Sequence, residues 1–272
     1  SGDLGRQNHF VMPPPVALTH ADYLVVESTY GDHRHPAEDP HDTLKKIIQE
    51  TVSKKGVVLI PAFAVGRSQA LLFILSRLKR EKAIPDIPVY LNSPMATEAT
   101  HVFLNFFRET LLSREESQEL TRVARFVTSI DESKMLNGLK GPAVVISASG
   151  MATGGRVLHH LKYLGPDPNN TIVFAGFQPP GTRGDALLKG AKTTKIHGEE
   201  VPIRARVELV DTLSSHADQE ELMIWLKKFA KPPRMTFITH GELPAAEVLQ
   251  EKIEKELGWN CTIPDHLEKF TL

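Results

Sequence analysis

The chain has 272 residues, 41% hydrophobic and 24% charged, enough for one large domain or two at about 150 residues each. With 32 Lys+Arg against 33 Asp+Glu, no global positive field draws it to a polyanion, so any nucleic-acid contact must use a local patch. The single Cys261 excludes an intrachain disulfide and fits a reducing, cytoplasmic location, and no run approaches the roughly 18 apolar residues of a membrane-spanning helix.

The opening, SGDLGRQNHF, lacks an initiator Met and reads like the interior of a domain, so the expectation is a piece of a longer protein. Strands are then predicted at 23–28, 56–62, 87–93, 143–149, 171–177, 206–211 and 235–240. Several are continuously apolar, as strands covered by helices on both faces are. The spacing of Leu44, Ile47, Ile48 and Val52 predicts a helix over 42–55. A second helix over 219–230 carries Leu222, Trp225, Leu226 and Phe229 on one face, with Asp218 and Glu221 placed for a capping box. A third runs over 244–257, from Pro244 to a stop at Gly258. Residues 192–207 read as a hairpin with His197 in its turn. The alternation gives an α/β fold with mostly parallel sheets flanked by helices.

Sites in such folds gather at the C-terminal ends of strands. Glu27 ends its strand, where a carboxylate can bind metal, orient a histidine or cap a turn. Arg67 opens a helix after Gly66, offering a fork for phosphate or merely a solvated charge. The segment SASGMATGGR, with Ser149, Gly150, Thr153, Gly154, Gly155 and Arg156, is a phosphate seat or a tight turn. It matches neither nucleotide fingerprint. His216, just ahead of a helix, is a proton donor or a capping-turn residue. His240, at a strand-to-helix junction, is better placed for a ligand than His197 in its hairpin. The histidines of DHRHPAEDPHD lack the following Asp-His of a metal loop, and the adjacent His159 and His160 point to different helix faces.

Taken in order, SGDLGR, ESTYG, IPAFAVGRSQ, LNSPMA, SASGMATGGR, GFQPPGTRGD, IHGEEVPIRA, LSSHAD and THGE resemble the β-CASP group of the metallo-β-lactamase superfamily, nucleases that process RNA. The resemblance runs over essentially the whole chain. It implies that Asp3 bridges two metal ions, usually zinc, and that His240 is a zinc ligand. It implies that Glu27 orients His216, which stabilises the transition state or protonates the leaving oxygen. Arg67, Ser93 and the 150–156 loop would line a channel for single-stranded RNA. Asn92 departs from the family's usual LDSPMA wording.

The larger departure is that no HxHxDH loop occurs in these 272 residues, so only Asp3 and His240 of the expected ligand set are present. The chain alone is therefore expected to bind zinc poorly and to cleave little, the intact protein being a nuclease. The other class of reading is a non-catalytic RNA-binding or scaffold module beside an active subunit. The implied architecture is an incomplete metallo-β-lactamase fold, 1–31 and 207–272, with a β-CASP domain inserted at 32–206. An incomplete fold exposes apolar strand edges, for which a homodimer that covers them, or partial disorder there, is the expectation.

Overall fold

The computed structural model describes residues 2–272. Contacts divide them into two compact units: residues up to Pro36 together with Ser215–Leu272, and Ala37–Ser214.

In chain order the elements begin with β1 (Tyr23–Glu27), α1 (Pro40–Ser53), β2 (Val57–Pro61) and α2 (Arg67–Arg80). There follow β3 (Val89–Asn92), α3 (Pro94–Asn105), α4 (Arg114–Arg122), β4 (Arg125–Phe126) and α5 (Ile130–Leu136). Next come β5 (Ala143–Ser147), α6 (Arg156–Leu164), β6 (Thr171–Phe174) and α7 (Arg183–Leu188). The hairpin β7 (Thr193–Ile196) and β8 (Glu199–Pro202) precedes β9 (Arg206–Leu209). The chain ends with α8 (Gln219–Leu226), β10 (Met235–Thr239), α9 (Leu243–Leu257) and β11 (Cys261–Thr262).

The first unit carries a parallel sheet in the order β1-β10-β11, with Glu27 level with Thr239. One face is buried by α8 and α9, where Leu24, Val26, Leu222, Trp225, Ile238, Leu249 and Trp259 form a single core. The capping box of Asp218 and Glu221 opens α8 as the sequence implies, and left-handed Gly258 closes α9. The α8 helix stops at Leu226, short of the expected residue 230.

The second unit is built on a parallel sheet in the order β4-β3-β5-β2-β6-β9. Strands β2, β5 and β6 are buried throughout, because alternate side chains meet helices on opposite faces. Val57, Leu59, Val145, Ile172 and Phe174 join the core formed with α6, α7 and the hairpin. The expected boundary at 206/207 is corrected: β9 pairs with β6 from Arg206 to Leu209, and a strand belongs with the sheet that satisfies its backbone. At the start of β2, a Cβ on Gly56 would stand 1.9 Å from the Asn169 carbonyl oxygen. Gly56→Ala is expected to cost about 1–3 kcal/mol through this backbone clash. An unchanged thermal midpoint would refute that.

Candidate active site

All four chemistry-bearing residues singled out in the sequence, Asp3, Glu27, His216 and His240, lie in the first unit. Glu27 and His240 are at the C-terminal ends of the adjacent strands β1 and β10. The strip carrying Asp3 is drawn alongside by a bridge between Gly5 and His216, and the Ala217 N–H donates to the Leu4 carbonyl at 2.8 Å.

Glu27 is 1% exposed, which demands that its charge be compensated. Both carboxylate oxygens lie 3.0 Å from His216 Nδ1. The Leu4 N–H donates to Oε1 at 2.7 Å and the Thr29 N–H to Oε2 at 3.3 Å. Burial pushes the carboxyl up. The hydrogen bond and charge of His216, with the contributions of Thr29 and Leu4, outweigh it and hold Glu27 below the usual carboxylate range. Because an ionised carboxylate only accepts, the proton of this bond belongs to His216 Nδ1. The ring orientation is thereby set, and Nε2 turns toward Asp3 Oδ2, 4.0 Å away.

His240 sits in a left-handed backbone conformation, φ 56°, at the end of β10. Thr29 holds it twice: the hydroxyl donates to the His240 carbonyl at 3.0 Å and lies 3.3 Å from Nδ1. Its Nε2 is 3.6 Å from Asp3 Oδ1. Next door, Gly241 packs on Ser28, where a Cβ would stand 2.4 Å from the Ser28 carbonyl oxygen.

Asp3, His216 and His240 each bring one donor atom, all within 4.8 Å of one another. Ligands about 2.0–2.2 Å from a tetrahedral zinc stand roughly 3.3–3.6 Å apart, so the Asp3–His240 pair fits a shared ion and His216 fits less closely. Oxygen and imidazole nitrogen suit zinc and other borderline divalent metals. The arrangement can hold a cation on an open surface beside an imidazole whose tautomer is fixed by a buried acid.

Two residues that the sequence left aside support this constellation. The His35 N–H donates to Asp218 Oδ2 at 2.9 Å, and its Nε2 lies 3.0 Å from the His216 carbonyl oxygen. Thr29 serves both Glu27 and His240. The roles of His35 and of Thr29 toward His240 have no local signal, since those partners lie about 180 to 210 residues away in the chain, whereas Thr29 and Glu27 are only two residues apart.

The expected RNA-lining residues fall in the second unit, and three of them make internal contacts. Arg67 is 6% exposed, its guanidinium packed against Gly176 rather than presented to solvent. Ser93 is buried, and its hydroxyl caps α3 by accepting from the Ala96 N–H at 3.2 Å. Arg156 is spent on structure: it donates to Asn92 Oδ1 at 2.8 Å, the Val127 carbonyl at 3.0 Å and the Thr128 carbonyl at 2.6 Å. Of the remaining loop residues, Gly150 is buried, Thr153 and Gly155 are exposed, and Ser149 and Gly154 are half-buried. The loop is gripped from behind by Gln178, which donates to the Gly150 carbonyl, and by Arg183, which donates to the Ala152 carbonyl. A separate cavity of about 1180 Å³ lies where α1, α2 and α4 end, lined by Lys79, Arg80, Lys82 and Arg122 among others, and it brings none of the candidate catalytic groups together.

Residues 68–187 match a family model described as a Beta-Casp domain, and residues 200–264 match one described as a Zn-dependent metallo-hydrolase RNA specificity domain. The second description implies a metal cofactor for the family. Among curated relatives, ribonuclease TTHA0252 of Thermus thermophilus is 39% identical over 249 residues, 89% of this chain and 56% of the relative. Transcription termination factor FttA of Thermococcus kodakarensis is 31% identical over 264 residues, 92% of this chain and 40% of the relative. An RNase J-like protein of Methanocaldococcus jannaschii is 33% identical over 248 residues, 89% of this chain and 57% of the relative. The chain thus spans about half the length of the curated relatives it matches.

Proposed function

The chain belongs to the β-CASP group of the metallo-β-lactamase superfamily, and from that premise we propose that it forms part of a metal-dependent ribonuclease hydrolysing phosphodiester bonds in single-stranded RNA. The observation that carries this reading is the Glu27–His216 pair set beside Asp3 and His240 at the ends of two adjacent parallel strands.

In this reading Asp3 and His240 hold the metal, taken to be zinc, and two ions are proposed for the complete centre. Ligands beyond these are needed for a dinuclear site, and no HxHxDH loop occurs in the sequence to supply them. When bound, the metal supplies Lewis-acid stabilisation of the charge that develops on the phosphodiester. His216 delivers a proton from Nε2 to the departing oxygen, while Nδ1 stays on Glu27. Glu27 stabilises the imidazolium and, being held ionised, blocks the wrong tautomer. The Ser149–Gly155 loop of the second unit, with its exposed Thr153, offers hydroxyl and backbone donors to RNA phosphates.

The test is cleavage of a labelled single-stranded RNA by the full-length gene product. Cleavage is expected to vanish on chelation and to return on adding zinc. Undiminished cleavage after exhaustive metal removal would sink the proposal. RNA binding without any cleavage would leave the alternative, a non-catalytic RNA-binding module.

A further inference from the structure

We propose that Phe63 is the seat of one unpaired nucleobase on the second unit, with Val65 and Met95 as its apolar flank. The inference rests on the ribonuclease reading and adds to it a place where a base, rather than a phosphate, is held.

Phe63 follows β2 in the turn leading to α2, at the C-terminal edge of the parallel sheet. It is 45% exposed, and Val65 and Met95 are 69% and 68% exposed. Phe63 and Val65 sit in the turn between β2 and α2 and Met95 near the start of α3, two segments laced together. The buried Gln69 amide donates to the Ala64 carbonyl at 3.2 Å and to the Ala96 carbonyl at 3.4 Å, and also reaches the Thr100 hydroxyl at 2.9 Å. Exposed apolar side chains from two segments tied by one glutamine therefore face solvent at the edge of the sheet where α/β folds place their ligands.

The Phe63 ring is held rather than loose. A Cβ on Gly150 would stand 2.8 and 2.9 Å from two of its ring carbons, so the ring lies against bare Gly150 backbone. The Phe63 carbonyl is pinned by the Ser68 N–H at 3.2 Å and the Ser68 hydroxyl at 2.7 Å. A preorganised aromatic loses little entropy on stacking.

The neighbours decide the kind of ligand. Three and five residues beyond Gly150 come the exposed Thr153 and Gly155, and α6 begins with no side-chain cap on its first turn. Strands β3, β5 and β2 are adjacent, and each is followed here by a helix that starts at this edge. A ligand with an apolar planar face joined to an anionic backbone satisfies both halves of this surface, as a nucleotide of a single strand does. A purely apolar partner would leave the polar half unmet.

The experiment measures anisotropy of fluorescein-labelled single-stranded RNA with the full-length gene product at fixed salt. Phe63→Ala is expected to weaken binding about 5- to 100-fold. Phe63→Leu, which keeps contact with Gly150 but has no π-face, is expected to weaken it too, while Phe63→Trp binds as the parent does and its fluorescence is quenched by RNA. An RNA with a single abasic position is expected to reproduce the loss with the parent protein and to add little with Phe63→Ala. If Phe63→Ala and Phe63→Leu bind RNA as tightly as the parent, the inference is overturned and the ribonuclease reading stands. If the parent binds no RNA, that reading fails and takes the inference with it.

Discussion

Replacing His216 with alanine is expected to lower RNA cleavage by the full-length gene product by roughly 10²–10⁴-fold, the usual contribution of a positioned general acid. Its metal content and RNA affinity are expected to stay near those of the parent. The split matters because His216 stands close to Asp3 and could in principle share its ion. The geometry favours the acid: the Asp3–His240 separation is 3.6 Å and the Asp3–His216 separation 4.0 Å. His240→Ala should therefore lose metal first and cleavage as a consequence. Elemental analysis of the two variants separates the roles. Loss of bound metal in His216→Ala would move that residue into the ligand set. Glu27→Gln is expected to follow His216→Ala in activity, because an amide neither fixes the Nδ1 proton nor stabilises a positive imidazole.

Acidification is expected to destabilise the second unit well before its surface carboxylates titrate. His160 is fully buried, and burial, with smaller contributions from His159 and Arg156, lowers its pKa from 6.5 to about 4. The neutral ring is satisfied on both sides: Asn92 Nδ2 lies 2.5 Å from Nε2, and Nδ1 lies 2.8 Å from Asn137 Oδ1. Because the folded pKa lies below the unfolded one, the unfolded chain takes up the proton first as pH falls. The stabilisation is complete above the unfolded pKa and is lost between pH 6.5 and about 4, an effect of about 3 kcal/mol. Asn92→Asp puts an acceptor where His160 now meets a donor, favouring the charged ring and raising its pKa. The pH dependence should then flatten, while Arg156 gains a charged partner in place of Asn92 Oδ1. Urea unfolding at pH 7 and pH 4.5 for both proteins decides it. Equal losses on acidification in parent and variant would show that His160 is not the group responsible.

The sequence by itself determined the alternation of buried strands and amphipathic helices. It also determined the capping box of Asp218 and Glu221, the stop at Gly258, and the placing of His197 in a hairpin turn, where it sits at φ 49°. These features are legible because each is written in residues a few positions apart, where local sterics and hydrogen bonding act. The polar ends of β1 and β10 were legible for a related reason: a carboxylate or imidazole closing an apolar run stands out against its neighbours. What sequence spacing left open was where each long-range partner lies. That Glu27 sits under His216, that Thr29 braces His240, and that Asn92 joins Arg156 and His160 in one network depend on contacts between residues 64 to 211 positions apart. The same limit explains Arg67, Ser93 and Arg156, polar residues at helix starts that look available in sequence and are consumed by packing or capping in the fold. Only tertiary structure decides whether a polar group faces solvent or a buried partner, because the desolvation that forces the pairing exists only once the sheets and helices have closed over it.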